Sequence, residues 1–254
     1  MSENTRLASE SFWIKQKEIP GSTRIPVEEI RKLKGDSKIT ILDLGSGEGR
    51  STQTIKENFP LAQVVAFDLC EKGLINTNES IVDKVQGTTL KLPFKEESTD
   101  VTVLCGVMTN LTDKDPKLAI QARQDAIREI TRVLKPGGMC IISDFNREHQ
   151  LSDYPVNYER HKLITGELGT IAVFDPDAKI TFVGKSDKEV VSLKNSSSLR
   201  RYAHHYFPEE LIELGKKNGL TAVNHAIELG ETPSGNPIDT IVMSFIKPEI
   251  EAKK

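Results

Sequence analysis

The chain has 254 residues, 28% of them charged and 37% hydrophobic, with a formal net charge of −3 and a pI near 6.0. That length suffices for one sizeable α/β domain with an elaboration, and the weakly acidic balance disfavours broad nucleic-acid binding, which needs a basic surface against phosphates. No long apolar segment opens the sequence, so neither a signal peptide nor a membrane span is expected, and the expected compartment is the cytoplasm.

Residues 1–37 read as N-terminal cap helices: Ser9 to Glu18 carries Phe12, Trp13 and Ile14, and Pro26 opens a second helical stretch, a favoured place for proline. Residues 38–254 read as a single domain. Ile39 to Leu44 is a short apolar run rich in β-branched residues, suited to a strand buried on both faces of a parallel sheet. It breaks into Gly45, Gly47 and Gly49. Glycine permits φ > 0 and close backbone approach to a ligand, and Ser51 to Asn58 reads as the helix this turn feeds. Val64 to Asp68 is the next strand.

The dinucleotide fingerprint G-x-G-x-x-G does not fit, because the third glycine comes one residue early. Instead Asp43 lies two residues before the first glycine, and Asp68 closes the following strand, where a carboxylate can accept from both hydroxyls of a ribose. This D-x-G-x-G-x-G turn, followed by a strand ending in Asp, resembles class I S-adenosylmethionine-dependent methyltransferases.

The resemblance implies S-adenosylmethionine as cofactor. Asp43, Gly45, Ser46, Gly47, Glu48 and Gly49 would hold its methionine part and Asp68 its ribose. Leu69, Thr89, Leu90, Cys105, Gly106 and Val107 would flank the adenine and methionyl portions. It also implies a Rossmann-like sheet of seven strands in spatial order 3-2-1-4-5-7-6 with the last strand antiparallel, and cap helices closing over the cofactor, with Trp13 as a candidate cover.

Further along, Leu92-Pro93-Phe94 matches the family's G-D-A-x-x-L-P-F segment, but Thr88 stands where the adenine-contacting acid is expected. Asp100 to Cys105 reads as the fourth strand and Gly106 to Asn110 as its tip. That tip lacks the [D/N]-P-P-Y of adenine N6 methyltransferases, and no Pro-Cys nucleophile of the cytosine C5 type is present, which argues against DNA base modification. Ala119 to Leu134 has helical periodicity, Lys135 to Gly138 reads as a turn, and Met139 to Phe145 as the fifth strand. Arg132-Val-Leu-Lys-Pro-Gly-Gly138 is similar to the ubiquinone-type and other small-molecule branches, so the resemblance spans roughly residues 39–145.

The alternation then stops. Residues 146–203 read as a substrate-lid insertion above the carboxyl ends of the strands, with a hairpin of Thr170–Phe174 and Ile180–Val183 around Asp175 to Lys179, and a polar loop over Val190 to Ser198. Pro208 opens a helix with acids in its first turn. Leu220 to Leu229 and Thr240 to Ile246 give two last strands, joined too briefly for a parallel crossover. The tail from Glu249 onward reads as unstructured.

A sulfonium methyl is already a good electrophile, so positioning and exclusion of water carry most of such a reaction, about 7–11 kcal/mol by proximity. Metal is not expected: Asp144 and Asn146 are split by Phe145, and no acid follows the fourth strand as in catechol-type enzymes. His205, His204 and Tyr206 are the candidates for a base at the junction of lid and helix, and Tyr154, Tyr158 and Tyr202 for pocket walls. Cys70, Cys105 and Cys140 are widely spaced and read as reduced, buried thiols; a thiol metalloid site would need them to converge. The expected activity is metal-independent methyl transfer to oxygen, nitrogen or carbon of a small molecule, with no membrane partner. The alternatives are a tRNA wobble-uridine-type methyltransferase, with Lys194, Arg200 and Arg201 meeting phosphate, a cofactor-binding protein without catalysis, and an NAD-linked oxidoreductase.

Overall fold

The computed structural model describes residues 25–35, 38–77, 82–148, 150–152, 156–174, 180–185, 188–193, 199–231 and 237–249. Trp13, His149, Tyr154, Lys194, the first cap helix and the tail beyond Glu249 lie outside the described residues.

After helix α1 (Val27–Lys34), a first half alternates β1 (Thr40–Leu44), α2 (Arg50–Asn58), β2 (Gln63–Asp68), α3 (Glu71–Asn76) and β3 (Asp83–Gln86). Next come β4 (Thr99–Cys105), α4 (Pro116–Val133) and β5 (Leu134–Phe145), and the sheet closes with α6 (Pro208–Lys217), β10 (Thr221–Glu231) and β11 (Pro237–Ile246). The spatial order is β10-β11-β5-β4-β1-β2-β3. Five strands run parallel, β11 runs antiparallel to β5, and β10 antiparallel to β11. Counting only the strands of this sheet, the order is the expected 3-2-1-4-5-7-6 with one reversed strand.

Helices cover both faces. On one face Leu42, Leu44, Phe67, Leu104 and Ile142 pack with Ile127 and Ile130 of α4 and Leu211 of α6. On the other, Ile41, Val64, Val103 and Ile141 pack with Ile30 of α1 and Ile55 of α2. Successive side chains of β1 therefore serve opposite cores, which is why the strand reads as an unbroken apolar run. The described cap helix, α1, is tied to the far end of α2, where Arg31 donates to the Asn58 carbonyl at 3.5 Å and lies over the Phe59 ring. Its Glu29 accepts from Asn224 and Ser244 of β10 and β11.

From β5 onward the structure corrects the sequence reading in four respects. Thr170–Phe174 (β6) does not pair with Ile180–Lys185 (β7); it pairs with β9 (Leu199–His204), and β7 pairs with β8 (Lys188–Leu193) as a hairpin nested inside that ladder. The turn chemistry of Asp175-Pro176 suggested a tight hairpin, but β9 supplies a longer register, from Thr170 opposite His204 to Phe174 opposite Leu199. Part of the expected polar loop over 190–198 is accordingly strand. A short helix, α5 (Tyr158–Thr165), stands between β5 and β6 where no helix was expected, capped by Asn157, whose side chain accepts from the Arg160 N–H. Finally, Lys135–Gly138 is an irregular part of β5 itself, with Gly137 at φ 69°.

Candidate active site

The glycine turn after β1 has positive φ at Gly45 (73°), Gly47 (53°) and Gly49 (84°). The chain turns back on β2: the Gly45 and Ser46 N–H groups donate to the Phe67 carbonyl at 2.7 and 3.1 Å. Asp68, 8% exposed, locks the turn, one carboxylate oxygen accepting from the Gly47 N–H at 2.8 Å and the other from the Cys70 N–H at 2.7 Å. Burial raises its pKa against these bonds. Neighbours press on the turn from both sides. A β-carbon on Gly45 would overlap the Val107 side chain, and one on Gly49 would lie 2.7 Å from Thr77. Glu48 is half-buried at the crest.

Asp43 lies beneath. Its Oδ2 accepts from Ser51 Oγ at 2.6 Å and Thr52 Oγ1 at 2.5 Å, pinning the first turn of α2 to β1. Its Oδ1 is buried and has no partner among the described residues, and neither has the buried Ser46 hydroxyl. Burial pushes the Asp43 carboxyl up to about 6, the two hydroxyls pulling it down and the Asp68 charge adding to the rise. A buried carboxylate oxygen left unpaired suits a cationic ligand group.

Beside β2, the Gly87 N–H donates to the Asp68 carbonyl at 2.9 Å. Thr88 turns to its own backbone, accepting from the Leu90 N–H at 3.3 Å; Thr89 is buried and Leu90 half-buried. Glu129 and Arg132 of α4 staple this segment, accepting from the Leu92 N–H and donating to the Leu92 and Phe94 carbonyls. Leu69 follows the carboxyl end of β2, and Thr89 and Leu90 follow that of β3.

Cys105, Gly106 and Val107 form the tip of β4. Gly106, at φ 67°, donates to the Ser143 carbonyl at 2.7 Å. The turn that follows is held by Asp144 at the end of β5, which accepts from the Thr109 and Phe145 N–H groups at 2.9 and 2.8 Å. Burial pushes Asp144 up to about 7, opposed by backbone bonds from Thr109, Phe145 and Met108 and by the Arg201 charge. Asn110 donates to the Gly106 carbonyl at 2.7 Å and accepts from Arg201 at 2.9 Å. All three cysteines are free and buried, and burial pushes Cys140 up to about 12.

The three base candidates occupy different surroundings. His204, 4% exposed, shares Nδ1 with Thr170 Oγ1 at 2.7 Å and lies 3.6 Å from Glu167 and 3.9 Å from Glu210. Burial holds its pKa well below the ordinary value, with the charges of Arg123, Arg147 and His205 adding to the fall. Tyr206 is buried and donates to the Met108 carbonyl at 2.8 Å; burial drives its pKa far up. His205, 2% exposed, hydrogen-bonds Tyr158 Oη through Nδ1 at 2.8 Å and meets Phe145, the last residue of β5, edge-on at a ring-centroid distance of 5.2 Å. Sequence reasoning missed the parts played by Asp144 and Asn110. The available signal was an acid, Asp144, near the carboxyl end of β5, and a polar Asn110 closing the turn that follows β4.

Residues 42–142 match a methyltransferase domain family. Among curated proteins, the ubiquinone/menaquinone biosynthesis C-methyltransferase of Ectopseudomonas mendocina is 29% identical over 116 residues, 42% of each chain. That of a Shewanella species is 26% identical over 152 residues, 54% of this chain and 55% of the relative. The chain thus spans about half the length of the curated relatives it matches. Among solved structures, a Methanosarcina mazei S-adenosylmethionine-dependent methyltransferase superposes with a TM-score of 0.71 at 21% identity, covering 90% of this chain and all of that one. The Burkholderia thailandensis 1,6-didemethyltoxoflavin-N1-methyltransferase, solved with 1,6-didemethyltoxoflavin and S-adenosylhomocysteine, superposes with a TM-score of 0.52 at 19% identity, covering 88% and 77%. Residues 42–142 thus match a methyltransferase domain family, and the strand order and glycine turn are those of the class I S-adenosylmethionine-dependent methyltransferase fold that the chain resembles.

Proposed function

We propose that the protein transfers a methyl group from S-adenosylmethionine to oxygen, nitrogen or carbon of a small molecule, without a metal, in the cytoplasm. The observation that carries this reading is the glycine turn locked by Asp68 above a buried Asp43 oxygen that has no partner among the described residues. The bound cofactor supplies an activated methyl group on a sulfonium. Asp43 Oδ1 would accept from its cationic amine and Asp68 from its ribose hydroxyls, and Leu69, Thr89 and Leu90 would border the adenine. Cys105, Gly106 and Val107 form the wall toward the acceptor.

Residues 146–203 serve as the acceptor lid. Of the three base candidates, we assign proton removal to His205, whose ring rests on the last residue of β5. His204 and Tyr206 hold the lid base together through Thr170 and the Met108 carbonyl. The small-molecule acceptors in the names of the curated relatives and of the Burkholderia neighbour support this reading.

The test is to incubate the protein with methyl-labelled S-adenosylmethionine and a small-molecule extract, and to identify labelled products. Label in a small metabolite supports the reading; label only in added tRNA replaces it with the RNA-modifying alternative. Parallel titrations should show affinity for S-adenosylmethionine and none for NAD.

A further inference from the structure

Residues 87–94 belong to neither helix nor strand, yet their course is fixed at both ends. At the first end the Gly87 N–H donates to the Asp68 carbonyl at 2.9 Å, and the Gln86 amide donates to the Leu69 carbonyl at 3.1 Å. Inside, the bonds are short-range: the Leu90 N–H donates to Thr88 Oγ1 at 3.3 Å and the Lys91 N–H to the Thr88 carbonyl at 3.2 Å. Ordering irregular backbone costs conformational entropy at every residue, so the far end needs an outside anchor.

Helix α4 supplies it from a single turn. Glu129 Oε2 accepts from the Leu92 N–H at 2.8 Å, and Arg132 donates from Nη1 to the Phe94 carbonyl at 2.9 Å and from Nη2 to the Leu92 carbonyl at 3.0 Å. The two side chains also grip each other, Arg132 Nε and Nη2 each donating to one Glu129 oxygen at 2.8 Å. A planar guanidinium can hold all of these bonds at once, which a lysine cannot. The end of α4 is itself pinned just ahead of β4, where the Glu97 N–H donates to the Arg132 carbonyl at 3.0 Å and the Ser98 N–H to the Val133 carbonyl at 2.9 Å. The Phe94 ring packs against Phe67 at a centroid distance of 5.9 Å. The anchored segment and the glycine turn are therefore both held to the last two residues of β2, Phe67 and Asp68.

We propose that Glu129 and Arg132 are positioning residues for cofactor binding: their paired side chains hold Thr88–Phe94 in its binding course before the cofactor arrives. This rests on the reading of Thr89 and Leu90 as the border of the adenine. The bonds go to backbone atoms, so they fix where the chain runs, and neither side chain needs to touch the cofactor. A wall already in place spares the ligand the cost of ordering it, and affinity rises by that saving.

The test uses the full chain with S-adenosylhomocysteine as ligand, in calorimetry and amide exchange on Arg132→Met. We expect Kd to rise about 3- to 10-fold with the binding stoichiometry unchanged. Exchange at residues 88–92 should quicken in the free variant and slow again when ligand is added. A merely structural role would instead lower the stoichiometry, by reducing the folded fraction, and leave Kd alone. A native Kd in Arg132→Met overturns the proposal, as does unchanged exchange at residues 88–92. Should Arg132→Met fail to fold, Glu129→Gln carries the test, since it keeps an acceptor for Leu92 but not the charge that fixes the guanidinium. It should raise Kd in the same direction by less, and a native Kd there overturns the proposal too. The reading of Thr89 and Leu90 fails separately, and takes the proposal with it, if bound ligand leaves exchange at residues 88–92 of the native protein unchanged.

Discussion

Arg201, on strand β9, donates to Asn110 Oδ1 at 2.9 Å, and the amide of the same Asn110 donates to the Gly106 carbonyl at the tip of β4. Strand β9 and the tip of β4 therefore share one side chain. Two further bonds reinforce the join, from Thr112 Oγ1 to the Tyr202 carbonyl at 3.2 Å and from Tyr206 Oη to the Met108 carbonyl. Substituting Arg201→Ala should loosen β9 and residues 106–112 together. One hydrogen bond is worth about 0.5–1.5 kcal/mol, so amide exchange in both segments should quicken by roughly 2- to 10-fold while exchange in β1 and β2 stays unchanged. Faster exchange in β9 alone would show that the two segments move independently.

Asp68 is expected to carry more than a ribose contact. It accepts from the Gly47 and Cys70 N–H groups, so Asp68→Ala removes the brace of the glycine turn along with any bond to ligand. Cofactor affinity should fall by at least about 1.5–3 kcal/mol, the value of hydrogen bonds to a charged group. Calorimetry that finds S-adenosylmethionine binding unchanged would remove Asp68 from the site.

Much of this arrangement was legible in the sequence. Asp43, the three glycines and Asp68 could be found because each is demanded locally: glycine by positive φ, the acids by their place at the ends of apolar runs. The sheet order followed from the family resemblance, and the short link between the last two strands required only that they run antiparallel. The region after β5 was not legible in the same way. Thr170–Phe174 and Leu199–His204 are separated by a nested hairpin, and pairing across such a distance leaves no periodic trace in either strand. Asn110, Asp144 and the Tyr158–His205 pair depend on contacts between elements far apart in the chain, which residue type alone does not specify.

Tyr206 distinguishes a structural group from a chemical one. Its hydroxyl is buried and donates to a backbone carbonyl, so Tyr206→Phe should lower stability by about 1 kcal/mol in denaturant titration. Cofactor affinity and methyl transfer should remain near native. A large loss of turnover at unchanged stability would return Tyr206 to the list of bases.

Asp43 gives cofactor binding a pH dependence whose sign can be worked out. Its carboxyl is pushed up to about 6 from an ordinary 3.8, chiefly by burial, so in the free protein it is largely protonated at pH 5 and ionised at pH 7. A cationic amine against Oδ1 favours the ionised form and lowers that pKa in the complex. Binding then releases a proton below about pH 6, and affinity for S-adenosylmethionine should rise from pH 5 to pH 7 and level off above it. Titrations in two buffers of different ionisation enthalpy count the protons released. Asp43→Asn keeps acceptor and shape for Ser51 and Thr52 but cannot ionise, so it should bind more weakly at pH 7 and lose the pH dependence. The same slope persisting in Asp43→Asn would assign the titration to another group, with Asp68 the next to substitute because burial raises its pKa too.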